Sequence, residues 1–367
     1  MANVKGAELV RPCILGNDPN LPEQTNEELK KEFNLKEVLS FNCNENPLGT
    51  SPKAIAAIQE HAKDVFLYPD ATCTELRRKV AKANGIDEMQ VLFGNGADNV
   101  LLMLTETFLN EGEEMIVGSP HFFVYNTTVQ LVGGKLVTVP LKNYTVDLKA
   151  IKAAITPKTK LIMVCNPNNP TGTIVKEDEV KEFMKDIPDN VIVIFDEAYA
   201  EFVDAADYPN SLQYVNAGKK VLVIRTLSKI FGMAGCRIGY IMGPEYLIEL
   251  MRRTVEYFAV NRVAQDAALA AMDDEEFLHK TLAVNKEGKE YLTKEFTAMG
   301  FTCQPSYTNF IFVDFHRDAR EIADKLRRQG LLIAVGGGWN CPTCSRISIG
   351  TMEMNKKLVA AFKEILA

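Results

Sequence analysis

Val191-Ile192-Val193-Ile194-Phe195-Asp196-Glu197-Ala198-Tyr199 opens with five apolar residues, four of them β-branched, and stops on two carboxylates. A strand with one solvated face alternates polar and apolar side chains. A run that is apolar throughout reads instead as a strand covered on both faces, inside a parallel sheet. Residues 161–164 and 221–225 read the same way, and further strands are expected at 90–93, 114–117 and 135–139. Helical segments lie between them. Ser51-Pro52 supplies an N-cap followed by proline at the first helical position. Thr72-Cys73-Thr74-Glu75 reads as a capping box, opening a helix that ends near Gly85. Strands alternating with helices make an α/β domain, with a mostly parallel central sheet flanked by helices.

That alternation spans residues 48–255. Beyond it come a long helical stretch at 261–299, a strand at 309–314, a helix at 318–329, two short strands and a terminal helix at 353–366. The expected division is therefore an N-terminal arm belonging to the small domain (1–47), a large α/β domain (48–255) and a small α+β domain (256–367). The chain has 367 residues, 47% hydrophobic and 24% charged, which is enough apolar material for a substantial core and excludes disorder. It carries 41 Lys+Arg against 48 Asp+Glu with no basic stripe, which argues against nucleic acid as a partner. Its apolar runs are too short to cross a bilayer, and residues 1–13 lack a signal-type apolar core. Eight scattered cysteines suggest reduced thiols rather than a disulfide framework, so a cytoplasmic protein is expected.

In an open α/β sheet, ligands bind beyond the carboxyl ends of the strands. Four such ends stand out. Residues 191–195 run into Asp196, a half-buried carboxylate that needs a cationic or hydrogen-bonding partner. Residues 161–164 run into Cys165-Asn166-Pro167-Asn168-Asn169-Pro170-Thr171-Gly172, a rigid turn with outward amides. Residues 221–225 lead to Thr226, Ser228, Lys229 and Arg237. These offer hydroxyls and a guanidinium for a phosphate, and a lysine that desolvation can turn into a Schiff-base nucleophile. Residues 90–93 end in Gly94-Asn95-Gly96-Ala97-Asp98, where backbone amides at a helix start form an anion site. Asn99 follows, so this is not the dinucleotide fingerprint.

Each loop alone has an ordinary structural explanation. Together they ask for a single ligand with a phosphate (the Gly96, Ala97 and Asp98 amides, Thr226, Ser228, Arg237), a carbonyl that condenses with an amine (Lys229), a basic ring nitrogen (Asp196) and a phenolic oxygen (Asn169, Tyr199). Pyridoxal 5′-phosphate has all four, and a buried aspartate keeps its ring nitrogen protonated. Phe122 is placed to stack on such a ring.

With these motifs in hand, the sequence resembles the fold-type-I pyridoxal-phosphate-dependent aminotransferases, most closely the histidinol-phosphate aminotransferase branch. The resemblance runs through Asn44-Glu45-Asn46-Pro47-Leu48-Gly49, Tyr68-Pro69-Asp70, the four loops above and Ser345-Arg346-Ile347-Ser348-Ile349-Gly350. It implies transfer of an amino group between an amino acid, or histidinol phosphate, and 2-oxoglutarate/glutamate by a ping-pong cycle. It further implies that Lys229, Asp196 and Tyr199 are catalytic, and that Arg346, assisted by Asn169, and Asn46 bind substrate. Tyr68 would reach the cofactor phosphate of a second subunit in a homodimer. Two positions depart from the branch: its N-terminal Pro-Tyr pair is Pro12-Cys13 here, and an arginine is replaced by Ala334. Both missing groups touch the substrate phosphate in that family. An unphosphorylated aromatic or neutral amino acid, or a decarboxylase or oxidase reaction on the same fold, therefore stays open as an alternative. Gly336-Gly337-Gly338-Trp339-Asn340 carries the single tryptophan, and Cys341 and Cys344 are expected to be two free thiols, because no second ligand pair completes a metal site.

Overall fold

The computed structural model describes residues 5–19 and 21–366. Among them are twelve strands: β1 (Leu39–Phe41), β2 (Val91–Gly94), β3 (Glu114–Ser119), β4 (Lys135–Pro140), β5 (Thr159–Cys165), β6 (Ile192–Asp196), β7 (Val221–Thr226), β8 (Gly239–Met242), β9 (Thr302–Cys303), β10 (Phe310–Asp314), β11 (Leu331–Val335) and β12 (Cys344–Ser348). They form a seven-stranded sheet in the order β2-β8-β7-β6-β5-β3-β4 and a five-stranded sheet in the order β1-β11-β12-β10-β9. In the larger sheet only β8 runs against its neighbours, pairing antiparallel with β2 and β7.

The apolar strands are covered on both faces, as their composition predicts. Along β6, Val193 and Phe195 join one core cluster while Ile192 and Ile194 join another. β7 divides likewise, with Val221 and Val223 on one side and Leu222 and Ile224 on the other. Successive strand side chains point to opposite faces, so a strand between two helical layers feeds two cores. A third core lies on the smaller sheet, around Phe41, Ile311, Val313, Ile347 and Phe362. β1 pairs in parallel with β11, so residues 39–41 join the smaller sheet, whereas Arg11, Cys13 and Asn17 reach the carbonyls of Leu131 and Thr127 in the helix Val124–Leu131.

Local signals fared unevenly. Ser51 caps the helix Pro52–His61 by accepting from the Ala54 amide, with proline at the first position. The helix Thr74–Asn84 ends at Gly85 in the left-handed conformation, as expected. Its start differs from the capping-box reading: Cys73 is the N-cap residue and makes no side-chain cap. The carboxylate of Asp70 instead accepts from the amides of Thr72 and Thr74. A charged acceptor two and four residues upstream thus takes the Thr72 amide, which the Glu75 side chain would have served in a capping box, and the Thr74 amide. The stretch 261–299 divides into Arg262–Ala271 and Glu275–Ala298, with Asp274 capping the second helix. Cys341 and Cys344 are bonded as a disulfide where free thiols were expected. The turn that closes between them, with the Cys344 amide donating to the Cys341 carbonyl, leaves their Cα atoms 5.4 Å apart. No described helix is long and apolar enough to cross a membrane.

Candidate active site

β5, β6 and β7 run in parallel, so their carboxyl ends open on one side of the sheet. A cleft of about 440 Å³ lies there, and it gathers Ala97, Asp98, Phe122, Asn169, Asp196, Tyr199, Thr226, Ser228, Lys229, Arg237 and Arg346 on its walls.

One end of the cleft is built for an anion. The helix Gly96–Phe108 starts there with no side chain capping its first amides. Thr226 Oγ1 lies 2.9 Å from Ser228 Oγ, and both residues are buried. Arg237 Nη2 reaches Asp98 Oδ2 at 3.0 Å, which fixes the guanidinium beside the helix start. Gly96 itself does not line the cleft; it has a φ of 81°, and a side chain there would fall on the Arg237 guanidinium. The left-handed backbone is what calls for glycine at this position, since the guanidinium end of Arg237 could shift.

In the middle stand an acid and a base. Asp196 closes β6 and is 4% exposed. Its Oδ1 accepts from the Ala198 amide at 3.1 Å and its Oδ2 from the Tyr125 hydroxyl at 2.5 Å. Burial pushes its carboxyl up to about 6. Burial also lowers the Lys229 ammonium to about 8, with the Arg346 charge adding to the effect. The Lys229 Nζ donates to the Cys43 carbonyl at 3.1 Å. Asn44 Nδ2 donates to the Tyr199 hydroxyl at 3.0 Å, and burial lifts that phenol to about 12.

The far end holds Arg346. Its Nη1 donates to Asn169 Oδ1 at 2.7 Å and its Nη2 to the Asn42 carbonyl at 2.5 Å. Its guanidinium lies over two aromatic rings, 5.6 Å from the Phe310 centroid and 5.5 Å from that of Trp339. Its buried Nε has no partner among the described residues. Ala334 on β11 sits opposite Arg346 on β12 and adds only a methyl group there.

Besides Gly96, two expected residues lie off the cleft walls. Asn46 reaches the carbonyls of Lys229 and Ile230 and the Thr281 hydroxyl, at 3.3, 3.0 and 3.2 Å, and so holds the backbone of the lysine loop from behind. Tyr68 stacks on Phe258 with centroids 4.6 Å apart and is 79% exposed. Cys13 sits in the short helix Pro12–Gly16, with its Sγ 3.8 Å from the Leu131 carbonyl. The sequence reading missed Tyr125, Cys165, Asn42, Cys43 and Asn44 as cleft residues. Tyr125 carried no local signal: Phe122 precedes the helix Val124–Leu131, and the partner of the Tyr125 hydroxyl is Asp196 on β6.

The sequence profile of the family described as "Aminotransferase class I and II" matches residues 36–362. The chain is 44% identical over 358 residues to a histidinol-phosphate aminotransferase of Moorella thermoacetica, covering 97% of this chain and 93% of the relative. It is 39% identical to that of Caldicellulosiruptor saccharolyticus, covering 98% and 100%. The crystal structure of histidinol-phosphate aminotransferase from Sinorhizobium meliloti in complex with pyridoxal-5′-phosphate superposes with a TM-score of 0.89 at 26% identity, over 100% of this chain and 98% of that one. With a fold-type-I architecture and a match along nearly its whole length, the chain belongs to the class I and II aminotransferases.

Proposed function

We propose that this aminotransferase uses pyridoxal phosphate to move an amino group between an amino acid, or histidinol phosphate, and 2-oxoglutarate/glutamate. The observation that carries the reading is one cleft holding a low-pKa lysine, a buried carboxylate and an uncapped helix start beside hydroxyls and a guanidinium. Those donors fit the coenzyme. The Ala97 and Asp98 amides, Thr226, Ser228 and Arg237 would hold its phosphate, with Tyr68 of a second copy reaching in. Asp196 would hold its ring nitrogen, Asn169 and Tyr199 its phenolic oxygen, and Phe122 its ring face. When bound, the group supplies a carbonyl for the amine and a cationic ring that accepts electron density from the substrate's Cα.

The protein's own part is to place charges and move one proton. Lys229 Nζ, neutral above about pH 8, is the base that takes the proton from the substrate's Cα and returns it on the product side. Asp196 keeps negative charge in a dry site, where it acts more strongly than in water. Arg346 presents a planar fork to the substrate anion, pre-aligned by Asn169 and by the two neighbouring rings. Lys229→Ala should abolish amino transfer while leaving the fold intact, as read by 2-oxoglutarate-dependent turnover and circular dichroism. Borohydride should trap pyridoxal phosphate on Lys229 alone.

One observation favours the second reading, an unphosphorylated aromatic or neutral amino acid. The cations on the described cleft walls are Lys229, Arg237 and Arg346, and Trp339 covers the last. Among the described cleft-lining residues, a second substrate anion finds no cation beyond these three. Assaying histidinol phosphate, phenylalanine and tyrosine against 2-oxoglutarate decides between the two.

The same proposal includes the division into 1–47, 48–255 and 256–367, and a homodimer. Separate cores on the two sheets support the first. The exposed apolar group of Val65, Phe66, Leu67, Tyr68, Tyr257 and Phe258 supports the second.

A further inference from the structure

We propose that Tyr125 is a positioning residue for Asp196: its phenol holds that carboxylate charged and oriented toward the ring nitrogen of the coenzyme. The inference rests on the coenzyme reading above and goes beyond it.

Tyr125 is fully buried in the helix Val124–Leu131, next to the cleft. A tyrosine that only filled space would be better as phenylalanine, because a buried hydroxyl without a partner costs stability. This hydroxyl spends its proton on Asp196 Oδ2, 2.5 Å away and 71 positions along the chain. The ring is held by neighbours that fix its direction. Phe122 meets it edge-on with centroids 5.8 Å apart, and His121 lies against it at 6.0 Å. Burial lowers the His121 imidazolium, so no cation is supplied from that side.

The groups around Asp196 make the donor necessary. Burial works against the carboxylate's charge. Asp98, from the helix Gly96–Phe108, and Glu197, from its own loop, push the same way. The buried Cys165 thiol on β5 and the Tyr199 phenol also lie close, and neither brings positive charge. Against these stand two donors, the Ala198 amide and the Tyr125 hydroxyl. The amide belongs to the backbone, which leaves Tyr125 as the side chain that keeps Asp196 ionised at neutral pH. A protonated Asp196 could not hold a proton on the ring nitrogen.

The test titrates coenzyme-free protein with pyridoxal phosphate, without substrate, following the visible absorbance from pH 6 to 9. Tightly saturating binding by the wild-type chain supports the coenzyme reading, and its absence sinks that reading before Tyr125 is in question. Tyr125→Phe should weaken binding about 10- to 100-fold at pH 7, the loss of one hydrogen bond to a charged group. The deficit should narrow toward pH 9, where the carboxylate ionises unaided. In an Asp196→Asn background, Tyr125→Phe should cost nothing further. Unchanged affinity and pH dependence in Tyr125→Phe overturns the inference, and so does an equal loss in both backgrounds. Should Tyr125→Phe not fold, 3-fluorotyrosine incorporated at position 125 keeps the shape and strengthens donation. It should move the acid limb of binding to lower pH, and an unmoved limb is equally fatal.

Discussion

Asp196 costs the empty protein stability whenever it is ionised. Its folded-state pKa of about 6 lies above the ordinary 3.8. A raised acid pKa means that the folded chain holds the proton more tightly than the unfolded one. The stabilising contribution of that proton is complete below about pH 3.8 and is lost as the pH rises through 6. Asp196→Asn should therefore stabilise the coenzyme-free protein by up to about 3 kcal/mol at pH 8, with no gain at pH 4. Thermal unfolding at the two pH values checks this, and an equal effect at both would exclude the buried charge as the cause. The placement of such residues at the cleft was largely legible beforehand. Lys229, Asp196 and Arg346 follow strand ends or sit in quoted motifs, so their neighbours in sequence announce them. Tyr125 was not legible, because what makes it polar in function is a carboxylate 71 residues away.

At the scale of elements, β8 decides how the anion end closes. It was not foreseen: four residues beginning with glycine carry little periodic signal. Yet it runs antiparallel between β2 and β7, and so brings the segment that follows Lys229 alongside the start of the helix Gly96–Phe108. Gly239 is the contact point, for a Cβ there would lie 2.5 Å from the Ala97 nitrogen. Backbone cannot yield as a flexible side chain does. Gly239→Ala should cost about 1–3 kcal/mol in stability and weaken binding of pyridoxal phosphate more than that of an unphosphorylated carbonyl analogue. Comparing denaturant midpoints and coenzyme titrations separates the two effects; a variant that binds and unfolds like the parent would refute the close approach. The capping error at Thr74 belongs to this scale as well. The motif was read from residues 72–75, whereas Asp70 had the stronger acceptor within reach.

For the whole molecule, the question is what covers the apolar group around Tyr68. Phe66 and Tyr68 are each 79% exposed and Tyr257 is 90% exposed in the single chain. A second copy is the proposed cover, so sedimentation should give twice the 40.9 kDa of one chain. Phe66→Glu should shift the protein toward monomer and reduce coenzyme retention, since Tyr68 would no longer reach a neighbouring site. A monomeric parent chain with full coenzyme affinity would contradict both statements.

The order of covered strands, the loops that end them and the residues of the proposed anion site were set by local sequence. Buried parallel strands must be apolar on both faces, and helix starts need glycine and small polar residues. Tertiary structure alone decided the rest. It brought Asn42 and Asn169 to Arg346 across 304 and 177 positions, and set Trp339 over the same guanidinium. It also turned Asn46 from a substrate contact into a brace behind Lys229. These pairings depend on how two sheets with separate cores meet, and no short window of sequence carries that geometry.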